Sequence, residues 1–275
     1  MIIDAHQHFW KYDAHRHSWI NEEMAILKKD YLPVDLAAVY AKNGVEGSIA
    51  VQADQSEEET NFLLQLAADN DWIKGVVGWV DLRSPNLEER LNHYAKFEKL
   101  KGFRHVIQDE PDVNFILGKD FQKGLAMLGK YHFSYDILVF PTQLSATLQT
   151  VQTFPLQPFV MDHIAKPYIK TGKIELWENY MRAIGEHKNV YCKVSGMVTE
   201  ADLQGWQYQD FVPYLDVVFE AFGTDRIMYG SDYPVCLLGG SYKNVKEILQ
   251  QYMSRFSEQV QQKIWEGNAR KFYRF

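Results

Sequence analysis

Short apolar runs rich in β-branched residues recur at about residues 2–6, 46–52, 73–80, 101–107, 133–139, 158–163, 190–195 and 227–230. Between them apolar positions return at helical spacing. Ser56-Glu57-Glu58-Glu59 reads as a capping box, followed by Phe62, Leu63, Leu66 and Ala67 on one stripe. Ser84-Pro85 reads as an N-cap and a first-turn proline, with Leu87, Leu91 and Tyr94 on the buried face. Further helices are predicted near 34–42, 119–130, 142–152, 175–187 and 210–221, with two more at about 243–254 and 257–271 closing the chain. Strand and helix thus alternate eight times, with no Pro/Gly/Ser-rich linker between them. The pattern predicts an α/β fold, a single (β/α)8 TIM barrel over residues 1–275. A doubly wound sheet is the rival, but no Gly-rich phosphate turn follows any strand.

In a barrel of this kind chemistry sits at the C-terminal ends of the strands. Polar residues concentrate there: His6 and His8, Gln52 and Asp54, Asp81, Arg104 and Gln108, Asp136, His163, Lys193 and Asp232. Alternation within the strands sorts their faces. In Ser48–Asp54 it assigns Ser48, Ala50 and Gln52 to the interior and the apolar set to the helix layer. Lys193 and Ser195 share a face opposite Cys192 and Val194. Phe103 and Ile107 suit the helix layer, which leaves Arg104 and Gln108 inside and places His105 outside.

His6 and His8 lie two apart at the end of the first strand and point the same way, so they can hold one metal ion or grip one small substrate. Asp232 ends the eighth strand, which barrel closure makes the neighbour of the first. A carboxylate there can deprotonate a water whose hydroxide is stabilised by the imidazoles or a metal. His163, at the end of the sixth strand, is the third imidazole candidate. Arg104 is an interior cation able to bind an oxyanion, a carboxylate or hydroxyls, since an unpaired buried charge is costly and rarely kept for stability. Lys193 is a second interior cation, and it can pair with Asp136 or Asp232. A second His-x-His, His15 and His17, lies in a polar loop and reads as solvated or at most a contact at the rim.

Net charge is −7 with acids and bases interspersed, which argues against nucleic acid as a partner. Cys192 and Cys236 are the only cysteines and lack metal or redox spacing, so a reducing compartment is expected. No run approaches eighteen apolar residues and no signal-peptide pattern opens the chain, so a cytoplasmic protein without a membrane segment is the expectation. Homo-oligomerisation is compatible with the sequence.

The chain resembles the amidohydrolase superfamily, and within it the branch that holds sugar lactonases and pyrone dicarboxylate lactonase. The resemblance rests on six motifs in order: Asp4-Ala5-His6-Gln7-His8-Phe9-Trp10, Gly75–Leu82, Gly102-Phe103-Arg104-His105, Met161–Pro167, Lys193-Val194-Ser195-Gly196 and Tyr229–Cys236. It implies a reaction centre of His6, His8, His163 and Asp232. It also implies hydrolysis of a sugar-derived lactone to the aldonic acid by water that Asp232 activates. Members that bridge two metals carry a lysine or glutamate on strand four and a histidine on strand five. Here Arg104 and Asp136 stand in those places, so a single divalent ion, zinc first, on His6, His8 and Asp232 is one expectation and a metal-free lactonase the other. Arg104, Gln52, Lys193, Trp10 and Trp79 are the expected substrate contacts, the tryptophans by stacking on a sugar ring. The loops after strands one, five and seven (Trp10 to Trp19, Thr142 to Leu144, Met197 to Tyr208) are expected to choose the substrate. A metal-dependent decarboxylase of a small aromatic or unsaturated acid, and a barrel that binds a sugar acid without catalysis, are the alternatives.

Overall fold

A computed structural model describes residues 1–275. Eight parallel strands run in sequence order around one sheet: β1 Ile3–Gln7, β2 Gly47–Val51, β3 Ile73–Gly78, β4 Leu100–His105, β5 Ser134–Ile137, β6 Phe159–Met161, β7 Val190–Val194 and β8 Ile227–Tyr229. The outer layer comprises α1 Pro33–Asn43, α2 Glu57–Asp69, α3 Leu87–Tyr94, α4 Lys119–Lys130, α5 Leu144–Thr153, α6 Glu175–Gly185, the short α7 Met197–Glu200, α8 Tyr208–Phe222 and α9 Tyr242–Met253. The final segment is α10 Glu258–Gln262, a π turn at Lys263–Gly267 and α11 Asn268–Tyr273. No helix is long and apolar enough to cross a membrane.

The local signals act as expected, with two shifts. Ser56 caps α2 by accepting the Glu59 amide at 3.2 Å. The Glu59 carboxylate, however, reaches past Ser56 and accepts the amides of Ala53 and Asp54 at 3.0 and 2.6 Å. It therefore ties down the loop after β2 as well as the helix. Ser84-Pro85 lies two residues too early: α3 begins at Leu87 after Asn86, and Ser84 Oγ instead accepts the Asn86 amide at 3.2 Å.

The interior face of β2 is the reverse of the expected one. Ile49 and Val51 pack inside the barrel with Ala5, Val77, Val160, Met228 and Tyr273, while Ala50 joins the outer cluster. Barrel strands are buried on both faces, so both are apolar and alternation has little to discriminate on. In β1 the pairing register shifts between Asp4 and Gln7. This irregularity turns His6 inward, although Asp4, two residues earlier, faces the helix layer. Bulges of this kind re-aim side chains beside active sites.

Asp4 is the clasp that closes the barrel. Its Oδ1 accepts the amides of Ser231 at 2.8 Å and His6 at 3.2 Å, and its Oδ2 accepts the hydroxyls of Tyr40 and Tyr242 at 3.0 Å. Two backbone bonds continue the closure, Asp232 N–H to His6 O at 2.8 Å and His8 N–H to Tyr233 O at 2.7 Å. Asp4→Ala orphans four buried donors, each costing roughly 1–3 kcal/mol. Urea unfolding should therefore show a loss of at least about 3 kcal/mol. A change below about 1 kcal/mol would show that the backbone bonds alone close the barrel.

Candidate active site

The register shift in β1 brings His6 and His8 to the mouth with their Nε2 atoms 3.2 Å apart. His8 Nδ1 lies 2.7 Å from the Val51 carbonyl, which can only accept, so this nitrogen carries the proton and Nε2 offers a lone pair. His6 Nδ1 lies between Asp162 Oδ1 at 3.3 Å and Lys193 Nζ at 3.2 Å. Asp232 arrives from beyond β8. Its Oδ1 lies 3.3 Å from His8 Nε2 and 3.8 Å from the Nε2 atoms of both His6 and His163. All four residues are buried. Asp232 adopts φ +59°, a left-handed conformation that aspartate tolerates better than most residues.

Burial fixes the charge states. It pushes His6 well below the ordinary imidazole range and His163 down to about 4, so both are neutral at pH 7. Burial pushes the Asp232 carboxyl up, but the neighbouring imidazoles of His163, His8 and His6 outweigh it, and it sits below the ordinary carboxylate range. The mouth therefore holds an ionised carboxylate beside two neutral imidazoles, His6 and His163.

His163 depends on unusual backbone. After β6 the four residues His163, Ile164, Ala165 and Lys166 have φ of +54°, +48°, +58° and +46°. Each non-glycine residue in this region costs roughly 1–2 kcal/mol, and a β-branched residue such as Ile164 is a clear outlier there. Trp177 donates to the Ile164 carbonyl at 2.7 Å and the Lys166 amide donates to His163 O at 2.8 Å, which holds the turn. Gly196, itself at φ +61°, leaves the room that His163 occupies: a Cβ there would meet His163 Nδ1 at 2.5 Å. Ser195 Oγ contacts that same nitrogen at 2.9 Å.

Beneath the imidazoles lies a sealed network of two cations and two anions. Lys193 Nζ lies 2.5 Å from Asp136 and 2.9 Å from Asp162, and Arg104 Nη1 lies 3.0 Å from Asp162. Tyr273 donates to Asp136 at 2.7 Å. Lys193 and Arg104 also approach His6, at 3.2 Å from Nδ1 and 3.3 Å from Nε2 respectively. The Asp162 carboxyl, pushed up by burial, is nonetheless held well below its ordinary value by Lys193, His6 and Arg104.

Above the imidazoles opens a cavity of about 620 Å³ whose wall includes His8, Arg104, His163 and Asp232. That volume lies within the range of small-molecule sites, roughly 300–1,000 Å³. Of the expected substrate contacts only Arg104 lines it. Gln52 is spent on Arg104, accepting from Nη2 at 3.0 Å and donating to the Arg104 carbonyl at 3.3 Å. Lys193 is enclosed in the charge network. Trp10 is buried behind His8, donating to the Lys29 carbonyl at 2.9 Å, and Trp79 donates to His105 Nδ1 at 3.3 Å on the outer side of the barrel. The aromatic walls are instead Trp19 and Phe140. His15 is exposed, but His17 is buried, its Nδ1 held at 3.0 Å from the Asp13 carbonyl within its own loop. Sequence reasoning missed Asp162 and Lys166 as site residues, and reached Trp19 and Glu200 only as members of the loops after strands one and seven. Alternation could admit either Asp162 or His163 to the interior, and only the left-handed turn admits both.

The donor set suits a metal. Tetrahedral zinc with nitrogens at about 2.0–2.1 Å would set two of them about 3.3 Å apart, close to the 3.2 Å between His6 Nε2 and His8 Nε2. The ligand atoms of His6, His8 and Asp232 lie within 4.8 Å of one another, as do those of His6, Asp162 and His163.

A complete parallel barrel whose C-terminal mouth gathers three imidazoles and an ionised carboxylate defines a barrel hydrolase with a metal-ready centre. The chain belongs to the amidohydrolase family, whose model matches residues 3–275. It is 39% identical over 282 residues to an L-fucono-1,5-lactonase of Burkholderia multivorans, covering 98% of this chain and 95% of that one. It is 33% identical over 279 residues to an L-fucono-1,5-lactonase of Burkholderia ambifaria, covering 99% and 95%. A Burkholderia multivorans amidohydrolase solved with bound zinc superposes with a TM-score of 0.96 at 40% identity, covering 100% of this chain and 99% of that one.

Proposed function

We propose that this protein hydrolyses a sugar-derived lactone to its aldonic acid. The observation that carries the reading is the ionised Asp232 carboxylate, within 3.3–3.8 Å of three imidazoles at the wall of a cavity with room for a sugar lactone. Relatives of 33–39% identity bearing lactonase names support it, and no feature of the site singles out the decarboxylase or the simple binder.

Asp232 takes a proton from water as the water oxygen attacks the lactone carbonyl carbon. The carbonyl electron pair moves onto oxygen, and Arg104, the one cation of the charge network that reaches the cavity, is placed to stabilise the oxyanion. Collapse breaks the ring C–O bond, and the alkoxide takes back the proton held on Asp232. His163, kept neutral and on the cavity wall, is placed to orient the carbonyl. A zinc ion held by His6, His8 and Asp232 would polarise the carbonyl and lower the pKa of water when bound. Arg104, 3.3 Å from His6 Nε2, opposes that positive charge, so the ion should be removable. Two buried, unpaired thiols, Cys192 and Cys236, suit a cytoplasmic setting.

The test is proton release from a panel of aldono-1,4- and aldono-1,5-lactones with and without dipicolinate. Turnover should fall at least about tenfold on chelation and return with zinc, as for loss of a Lewis acid. Turnover that survives chelation would leave the chemistry to Asp232 and Arg104 alone. No turnover of any lactone would sink the reading.

A further inference from the structure

We propose that Lys166 and Glu200 form a hydroxyl clamp that grips neighbouring hydroxyls of the substrate ring and makes the site selective for polyhydroxylated over bare cyclic esters. The proposal rests on the lactonase reading for its substrate and deepens it. The two residues come from different elements, Lys166 from the left-handed turn after β6 and Glu200 from the end of α7, and meet as an ion pair at 3.0 Å. Both line the same cavity as His163 and Asp232. Residues three apart in a left-handed turn project to one side, so the strained backbone that presents His163 also presents Lys166. Lys166 Nζ lies 5.1 Å from the centre of the Phe140 ring, another cavity wall.

The side chains of Lys166 and Glu200 are 17% and 14% exposed, mostly removed from water yet open to the cavity. The Lys193–Asp136 pair is 0% exposed on both sides and no ligand can reach it. A pair serving stability alone gains nothing from a strained backbone and a place on the cavity wall. An ammonium has three N–H groups and a carboxylate about four acceptor sites, so the mutual contact, with a long 3.5 Å bond from Thr199 Oγ1 to Glu200, leaves most of both unused. Neighbouring hydroxyls supply complementary acceptors and donors at that spacing, through charge-assisted bonds about twice as strong as neutral ones. A ligand without hydroxyls would leave the pair desolvated and unmatched, which is how polar sites reject analogues.

The experiment compares kcat/KM on an aldono-1,5-lactone with that on δ-valerolactone, which keeps the ester ring and has no hydroxyls. It is run on the wild type, Lys166→Met, Glu200→Gln and Lys166→Arg. The hydroxylated lactone should be preferred by at least about a hundredfold in the wild type, and Lys166→Met and Glu200→Gln should each shrink that preference at least about tenfold, chiefly through KM. Lys166→Arg should restore part of it. Equal losses on both lactones, or no loss, would overturn the clamp. A second arm measures calorimetric binding of a 1,5-anhydroalditol, which keeps the ring hydroxyls and lacks the ester. Weaker binding by Lys166→Met with no wild-type turnover of any lactone would sink the lactonase reading and leave the clamp standing. Unchanged binding by both variants would sink the clamp whether or not lactones turn over.

Discussion

Asp232→Asn should lower kcat by at least about a hundredfold, the usual scale for losing a general base. The substitution is nearly isosteric, and asparagine tolerates the φ of +59° at this position as aspartate does. The backbone bond from residue 232 to the His6 carbonyl, 2.8 Å, is untouched, so the barrel still closes. What is lost is the carboxylate that His163 and His8 hold ionised beneath the cavity. Steady-state kinetics on a lactone, paired with a thermal melt, separates the two effects: kcat should collapse while the unfolding midpoint stays near that of the wild type. A rate within about threefold of wild type would remove Asp232 from the chemistry, because no other ionised carboxylate lies within reach of the three imidazoles on the cavity side.

Asp162→Asn should be the most destabilising polar substitution in the protein. Asp162 is fully buried and shared between Arg104 at 3.0 Å and Lys193 at 2.9 Å, with His6 Nδ1 at 3.3 Å. Removing its charge leaves two buried cations facing the single anion Asp136, and breaking a buried pair in this way costs roughly 3–5 kcal/mol. Activity should fall with stability for a separate reason. Without the carboxylate, His6 loses the anion beside its Nδ1, and Arg104 loses the anchor that aims it at the cavity. Urea unfolding followed by tryptophan fluorescence measures the first effect, and zinc affinity of the folded protein the second. A stability loss under about 1 kcal/mol would show that Asp136 and Tyr273 suffice to hold Lys193 and Arg104.

Much of the architecture was legible along the chain because periodicity is local. Eight apolar runs and their intervening helical stripes correspond to eight strands and their helices with small shifts at the ends. Leu87, Leu91 and Tyr94 are buried as their spacing predicts, and His105 faces outward as the size of Phe103 and Ile107 suggests. The same local logic reversed the faces of β2, where Ile49 and Val51 turn inward, because a strand buried on both sides carries little polarity difference to read. It also placed Trp10 and Trp79 as sugar platforms by residue type. Their partners, the Lys29 carbonyl and His105, are visible only in space.

By itself the sequence determined the barrel and which imidazoles and carboxylate stand at the ends of strands one, six and eight. These follow from hydrophobic period and from closure, which joins the first strand to the last. Only the tertiary structure decided how those groups face one another. A register shift in β1 turns His6 inward, a left-handed turn admits both Asp162 and His163, and the missing Cβ of Gly196 gives His163 its place. The physical reason is that each is a departure from regular backbone, stabilised by contacts from residues far away in sequence, such as Trp177 on the Ile164 carbonyl and Ser231 on Asp4. Side-chain alternation describes regular strands and fails where the chain bends to build a site.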